Sequence, residues 1–256
     1  MVAEKSTIRK CLFGCLLGLF MQTVGAADPL RVVYFENYEP ISWLDAGTMR
    51  GVLVDIVDEA IARRMGIAIE HRGYPWARAQ DMVKKGYADA YLTVVTPERS
   101  EYTNASVESV LSLDNVAYIN AHNPHRKDLE RIQTLDDLLP YSLVDYFGNG
   151  WAKRHLAQHN VNWVPGMSNA LRMVGAGRVD AFIEASHVVR YHIHKINLDA
   201  DIIELSPIFE SVKFRLCIGK NSHYADRLEQ FDQAIRTMRR DGTLDRIYDK
   251  YLIGRR

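Results

Sequence analysis

Apolar residues recur along this chain in two rhythms. Between residues 53 and 65 they fall at 53, 56, 57, 60, 61 and 65, which is one face of a helix. Gly66 then supplies the residue that can end it. Short apolar runs at 30–35, 67–70, 88–92 and 113–119 read instead as strands, suited to a sheet covered on both faces. A turn-rich loop, Glu36-Asn-Tyr38-Glu-Pro40, follows the first of them. Another helix starts at Tyr74-Pro75-Trp76, with Pro75 in the first turn, where a missing N–H costs little. Strand, helix, strand, helix, strand is the opening of a parallel sheet with helical crossovers. The polar stretch 120–125, broken by Pro124, leads into a second series. It holds a short helix at 134–138, begun by a capping-box-like Thr134 and Asp137, then strands at 142–145 and 162–164 around a helix at 151–158. Strands at 202–205 and 212–218 bring the chain back, and helices at 225–240 and 243–252 close it.

One phrase occurs twice in this pattern, ninety-one positions apart. Residues 79–91 and 170–182 share Ala79/Ala170, Met82/Met173, Val83/Val174, Gly86/Gly177, Asp89/Asp180 and Ala90/Ala181, and Tyr91 is matched by Phe182. Each copy reads as the end of a helix, a glycine exit and a short apolar strand. Two such units predict an α/β protein of two similar lobes, residues 28–119 with 215–256 forming one and 120–214 the other. Two crossings between them make a hinge, and the gap between lobes is a favoured pocket.

The ends and the composition narrow the class. Residues 1–27 combine the basic Lys5, Arg9 and Lys10, an apolar run at 11–20 and the small residues Gly25, Ala26 and Ala27. Together these form the three-part pattern of a secretory signal. The apolar run is too short to span a bilayer comfortably. Its removal takes three basic residues and one acid, leaving 29 against 31, with no excess of positive charge for nucleic acid or an anionic membrane. It also removes Cys11 and Cys15, so Cys217 stays alone in an apolar strand as core packing, without an internal disulfide.

Continuing the repeat beyond its strands gives Leu92-Thr93-Val94-Val95-Thr96-Pro97-Glu98-Arg99 in one copy and Ile183-Glu184-Ala185-Ser186-His187 in the other. Open α/β sheets hold ligands at such strand ends. Thr96-Pro97 reads as a helix start, and an arginine fixed there can grip a carboxylate through two parallel hydrogen bonds. The alternative is an exposed Arg99 paired with Glu98 or Glu101. His187, His192 and His194 do not share a helix face, and no histidine set offers metal-ligand geometry. Nucleophile-elbow, phosphate-loop and zinc motifs are missing from the sequence.

The signal, the opening strand, the Tyr38-Glu-Pro40 loop and the Gly51-Val-Leu-Val-Asp55 helix start come first in a longer order of motifs. Gly86-x-x-Asp89-Ala90, Thr96-Pro97-Glu98-Arg99, Gly148-Asn-Gly150 and Gly177-Arg-Val-Asp180-Ala181 then follow in sequence. This order, over about residues 30–252, resembles the bacterial extracellular solute-binding proteins of family 3, the polar amino-acid binders of ABC importers. Tyr74-Pro75-Trp76-Ala-Arg78-Ala is similar to a divergent branch of that family. The resemblance implies a two-lobed periplasmic-binding-protein-like fold, each lobe a central, mostly parallel sheet flanked by helices, joined by two hinge crossings. It also implies a periplasmic monomer without cofactor or metal that hands a small solute to an inner-membrane permease.

Carried over by position, Arg99 is the arginine that clamps the ligand carboxylate and Tyr38 the aromatic that stacks over the ligand. Asn149 and Gly150 are the turn that donates to the carboxylate. Thr93 and Val94 lie at the strand end, and Trp76 lines the cleft or packs in the core. The chain departs from the family pattern at three places: Val94 stands where a small hydroxyl residue is usual, Asn149 where a threonine is, and Ala185 where an aspartate meets the ligand ammonium. Glu184 could replace that aspartate, but adjacent strand residues face opposite ways, so a bulge or register shift would be needed. Two rivals follow from the same fold: a cyclohexadienyl dehydratase-like enzyme using Glu184 or His187 as acid or base, and a free-standing sensor docking to a membrane partner.

Overall fold

A computed structural model describes residues 28–252, so the expected secretory signal at 1–27 lies outside the described residues. Strand β1 (Leu30–Phe35) runs into a small antiparallel sheet of β2 (Asn37–Tyr38), β3 (Ser42–Asp45) and β4 (Thr48–Arg50). The loop expected at 36–40 is thus folded into a sheet of its own. Helix α1 (Val52–Val57) continues as a π-helical stretch, Asp58–Arg64, ended by Gly66 at φ +70°. Next come β5 (Ile69–Tyr74), α2 (Trp76–Lys84), β6 (Ala90–Val94), α3 (Pro97–Tyr102), β7 (Thr103–Ala105) and β8 (Leu111–Asn120). Helix α4 (Arg126–Leu129) and a 3₁₀ turn at Asp136–Leu138 precede β9 (Ser142–Tyr146), α5 (Gly150–His155), β10 (Asn160–Val164), α6 (Met167–Gly175) and β11 (Ala181–Ala185). Then α7 (Ser186–Lys195), β12 (Ile202–Gly219), α8 (Leu228–Arg240) and α9 (Thr243–Tyr251) complete the chain. Helix α7 has no counterpart in the sequence-based reading.

The main sheet runs β10-β9-β11-β8-β12-β6-β1-β5, with β7 added against β12. β5, β1 and β6 are parallel at one end, and β10, β9 and β11 are parallel at the other. Between them β8 and β12 are antiparallel to their neighbours. The fold is therefore a mixed α/β sheet of mostly parallel strands flanked by helices, the architecture that the resemblance implied. The two strands expected at 202–205 and 212–218 are one continuous strand. Its pairing with β8 shifts register between Glu204 and Ile208 and again before Glu210. Pro207, which has no N–H to give a neighbour, sits inside that irregular stretch.

The duplicated phrase forms two equivalent units, α2–Gly86–β6 and α6–Gly177–β11, with both glycines left-handed at φ +75° and +64°. Their aspartates do the same work. Asp89 accepts from the backbone N–H and the guanidinium of Arg31 at the start of β1, and Asp180 accepts from the N–H and hydroxyl of Ser142 at the start of β9. Each carboxylate ties its own strand to the next, which explains why the residue recurs in register. Cys217 is wholly buried in β12, as expected of core packing, and burial pushes its thiol up to about 12.

Candidate functional site

Strand ends from both halves of the sheet converge on a cleft with about 610 Å³ of empty space, its open mouth included. All eight expected residues line it: Tyr38, Trp76, Thr93, Val94, Arg99, Asn149, Gly150 and Glu184. Phe35, Asn115, Tyr146 and Trp151 line it as well and were not anticipated. Phe35 and Tyr146 sit at the ends of β1 and β9, so the strand-end rule would have found them had it been applied beyond the repeat.

One wall is built around Arg99. Thr96 caps α3 by accepting from the Arg99 N–H, and Pro97 opens the helix. The guanidinium turns inward and is only 3% exposed. Its Nη1 donates to Thr93 Oγ1 at 3.1 Å and to the Val94 carbonyl at 2.7 Å, while Nε and Nη2 both reach Gln80 Oε1. The Trp76 ring lies 5.3 Å from its charge centre, so Trp76 both lines the cleft and packs in the core. The alternative of an exposed Arg99 paired with Glu98 or Glu101 does not hold. Every group around the guanidinium is neutral: among the described residues none of the ion pairs includes it. Burial lowers its pKa from the ordinary value. A buried cation without a counter-ion is costly, and an incoming anion removes that cost.

The opposite wall carries acid. Glu184 accepts from Tyr38 OH at 3.0 Å, Tyr146 OH at 2.6 Å and the Ala185 N–H at 2.7 Å. Its carboxylate reaches the cleft although β11 pairs with β8 in unbroken register from Ala181 to Ala185. The expected bulge is unnecessary, because Glu184, not Ala185, occupies the cleft-facing position of β11. In the repeat it is the counterpart of Thr93, which faces the cleft from β6. Burial raises the Glu184 pKa against the lowering effect of its three hydrogen bonds.

Behind it, Asp145 is wholly buried and accepts from the Tyr146 N–H and from Asn149 Nδ2. Burial, then the neighbouring Glu184 charge, holds its carboxyl well above the usual range. A raised native pKa makes Asp145 most favourable to folding in acid, and that contribution is lost as pH rises through the raised value. Asp145→Asn keeps an acceptor without the charge. It should raise the melting temperature by a few degrees at pH 8, about 1 kcal/mol, and change little at pH 4. Equal shifts at both pH values in thermal melts would contradict this account.

The turn at 148–150 closes the cleft from the Glu184 side. Asn149 Oδ1 caps α5 by accepting from the N–H groups of Trp151 and Ala152. Of the turn expected to donate to the ligand, the Asn149 N–H is already engaged by the Tyr146 carbonyl. Gly150 lies directly on Arg99: a Cβ there would stand 3.1 Å from Nη2.

A second contact crosses near Tyr38. Glu39 accepts from Lys195 Nζ at 2.5 Å and faces His192 Nε2 at 3.1 Å, both on α7. Burial pushes the Glu39 carboxyl up, but His192 and Lys195 outweigh it and hold it at about 2. Its stabilisation is present above the ordinary glutamate pKa and is lost as pH falls toward about 2. Glu39→Gln should therefore flatten the acid limb of a stability–pH curve below about pH 4.5, and an unaltered limb would exclude the contact from that role. Among the described residues, no group of three or more His, Cys, Asp or Glu residues could hold a metal ion.

Comparison with known proteins gives the family and the fold. The family model for bacterial extracellular solute-binding proteins, family 3, matches residues 30–254. The probable amino-acid-binding protein YxeM of Bacillus subtilis (strain 168) is 23% identical over 219 residues, covering 83% of this chain and 79% of that one. A histidine kinase sensor domain with similarity to periplasmic binding proteins superposes with a TM-score of 0.76 at 19% identity, over 89% of this chain and 97% of that one. An ancestral arginine-binding protein bound to arginine superposes with a TM-score of 0.73 at 22% identity, over 89% and 99%. The chain belongs to the bacterial extracellular solute-binding proteins, family 3.

Proposed function

We propose that this protein captures a small carboxylate-bearing solute, an amino acid or close relative, between its two walls in the periplasm, for delivery to an ABC-type permease. Its family is one of binding proteins rather than enzymes. The observation that carries the ligand class is Arg99, a buried guanidinium surrounded only by neutral groups at the cleft surface. Glu184 on the facing wall is the group for a ligand ammonium, which needs a counter-ion when buried. The lobes are residues 28–119 with 215–256, and 120–214. Pairing of β12 supports the second crossing, since it passes from β8 to β6 at Phe214. Pairing of β8 with β11 begins at Asn115, within a few residues of the proposed first crossing. Among the described residues no helix is long and apolar enough to cross a membrane.

A thermal-shift screen over amino acids, dicarboxylates and opines tests the reading, because a solute that binds only the native form raises its melting temperature. Shifts with carboxylates that vanish for their amides are the expected result. Shifts confined to uncharged solutes would overturn it.

A further inference from the structure

We propose that Gln80 is a positioning residue that fastens Arg99 to the turn at 148–150, so that aiming the anion clamp and closing the cleft become one event. The proposal rests on the reading of Arg99 as that clamp. Gln80 stands on α2, between the two walls. Its Oε1 accepts from Arg99 Nε at 3.1 Å and Nη2 at 3.0 Å, a fork that sets the plane of the guanidinium. Its Nε2 donates to the Gly148 carbonyl at 3.1 Å.

One primary amide therefore turns its acceptor to one wall and one of its two N–H donors to the other, the second lying 3.5 Å from the Trp76 carbonyl on its own helix. A carboxylate offers only acceptors and an alkyl chain offers neither. The surrounding fit is close. A Cβ on Gly148 would lie 3.2 Å from both Ala77 N and Gln80 Nε2, and Gly148 is held at φ +94°. Two residues on, Gly150 presses against Arg99 itself. Asn149, between them, donates to Asp145, whose neighbour Tyr146 donates to Glu184. Other contacts cross the cleft at Tyr38–Glu184 and Lys195–Glu39, yet neither includes the clamp. Without Gln80, Arg99 keeps only its Nη1 bonds to Thr93 and Val94, about which it can turn, and the turn at 148–150 loses its tie to α2.

The test uses solute-free protein. Spin labels at Arg63→Cys and His194→Cys, both at exposed side chains, in a Cys217→Ser background report the separation of the walls by electron–electron resonance. The ¹⁵N resonance of the Arg99 Nε–H reports the clamp. Gln80→Leu should raise the open-to-closed ratio about fivefold, as for loss of one hydrogen bond, and speed solvent exchange of the Arg99 Nε–H. Gln80→Glu should also open the cleft but keep the Nε–H protected, because it retains the acceptor and loses the donor. Asp81→Ala on the same helix should match wild type in both readouts.

A Gln80→Leu protein with wild-type distances overturns the proposal, as does a Gln80→Leu protein that opens with an unaltered Arg99 signal. A lowered melting temperature alone, with both spectra unchanged, assigns Gln80 to packing and also overturns it. No solute enters these measurements, so failure of the screen for carboxylate binding would not be confused with failure here.

Discussion

Arg99→Ala is expected to weaken binding of the best carboxylate found in the screen by about 2–5 kcal/mol, the range for truncating one member of a buried charge pair. The fold itself should change little in stability. Removing the side chain forfeits hydrogen bonds to Thr93, Val94 and Gln80, but it also relieves the burial of an uncompensated cation. Binding and stability therefore separate, which a residue serving only the core would not allow. Arg99→Lys keeps the charge but not the planar fork, so it should fall between alanine and wild type. Titration calorimetry with all three proteins, beside melting curves, gives the comparison. Unchanged affinity in Arg99→Ala would remove this residue from the site.

The second large effect is expected at Gly51. Its φ is +124°, outside the range open to side chains, and an added Cβ would stand 2.4 Å from the backbone oxygen of Ile41. Neither partner is a flexible tip that can step aside, so Gly51→Ala should cost about 3–5 kcal/mol and lower the melting temperature by about 10 °C. The loss extends to function. Val52 and Leu53 at the start of α1 donate to the carbonyls of Pro40 and Ile41, fixing the segment that carries Tyr38 and Glu39. Weakened binding at a temperature where the variant is still folded would show that displacement. A melting temperature within 2–3 °C of wild type, less than about 1 kcal/mol, would refute the steric argument.

Much of this architecture was legible because it is local or repeated. The helix–glycine–strand units follow from glycine geometry and apolar spacing, and the Thr96-Pro97 cap places Arg99 by its own chemistry. Thr93, Val94, Arg99 and Glu184 share the cleft for that reason, whereas Tyr38, Trp76, Asn149 and Gly150 were placed there by the family resemblance. What escaped depends on distant parts of the chain meeting. Gln80 looks like an ordinary polar position on α2 until Gly148 is packed against it. Asp145 and Tyr146 gain their meaning only beside Glu184, thirty-eight residues or more downstream. Glu184 was expected to need a bulge only because position 185 was taken to face the cleft, whereas the strand keeps its register and Glu184, the counterpart of Thr93, is the residue that faces it. The small sheet β2–β3–β4 is short enough that no periodicity announces it.

The position of β12 has a consequence for how the chain comes together. Residues 90–94 of β6 have their antiparallel partner only in residues 214–218, so the first half-sheet keeps a bare edge until those residues, more than a hundred positions later, have been made. Such remote pairing slows folding. A nascent chain of this design cannot complete its native sheet before β12 is made, and that strand sets the moment at which either half becomes whole.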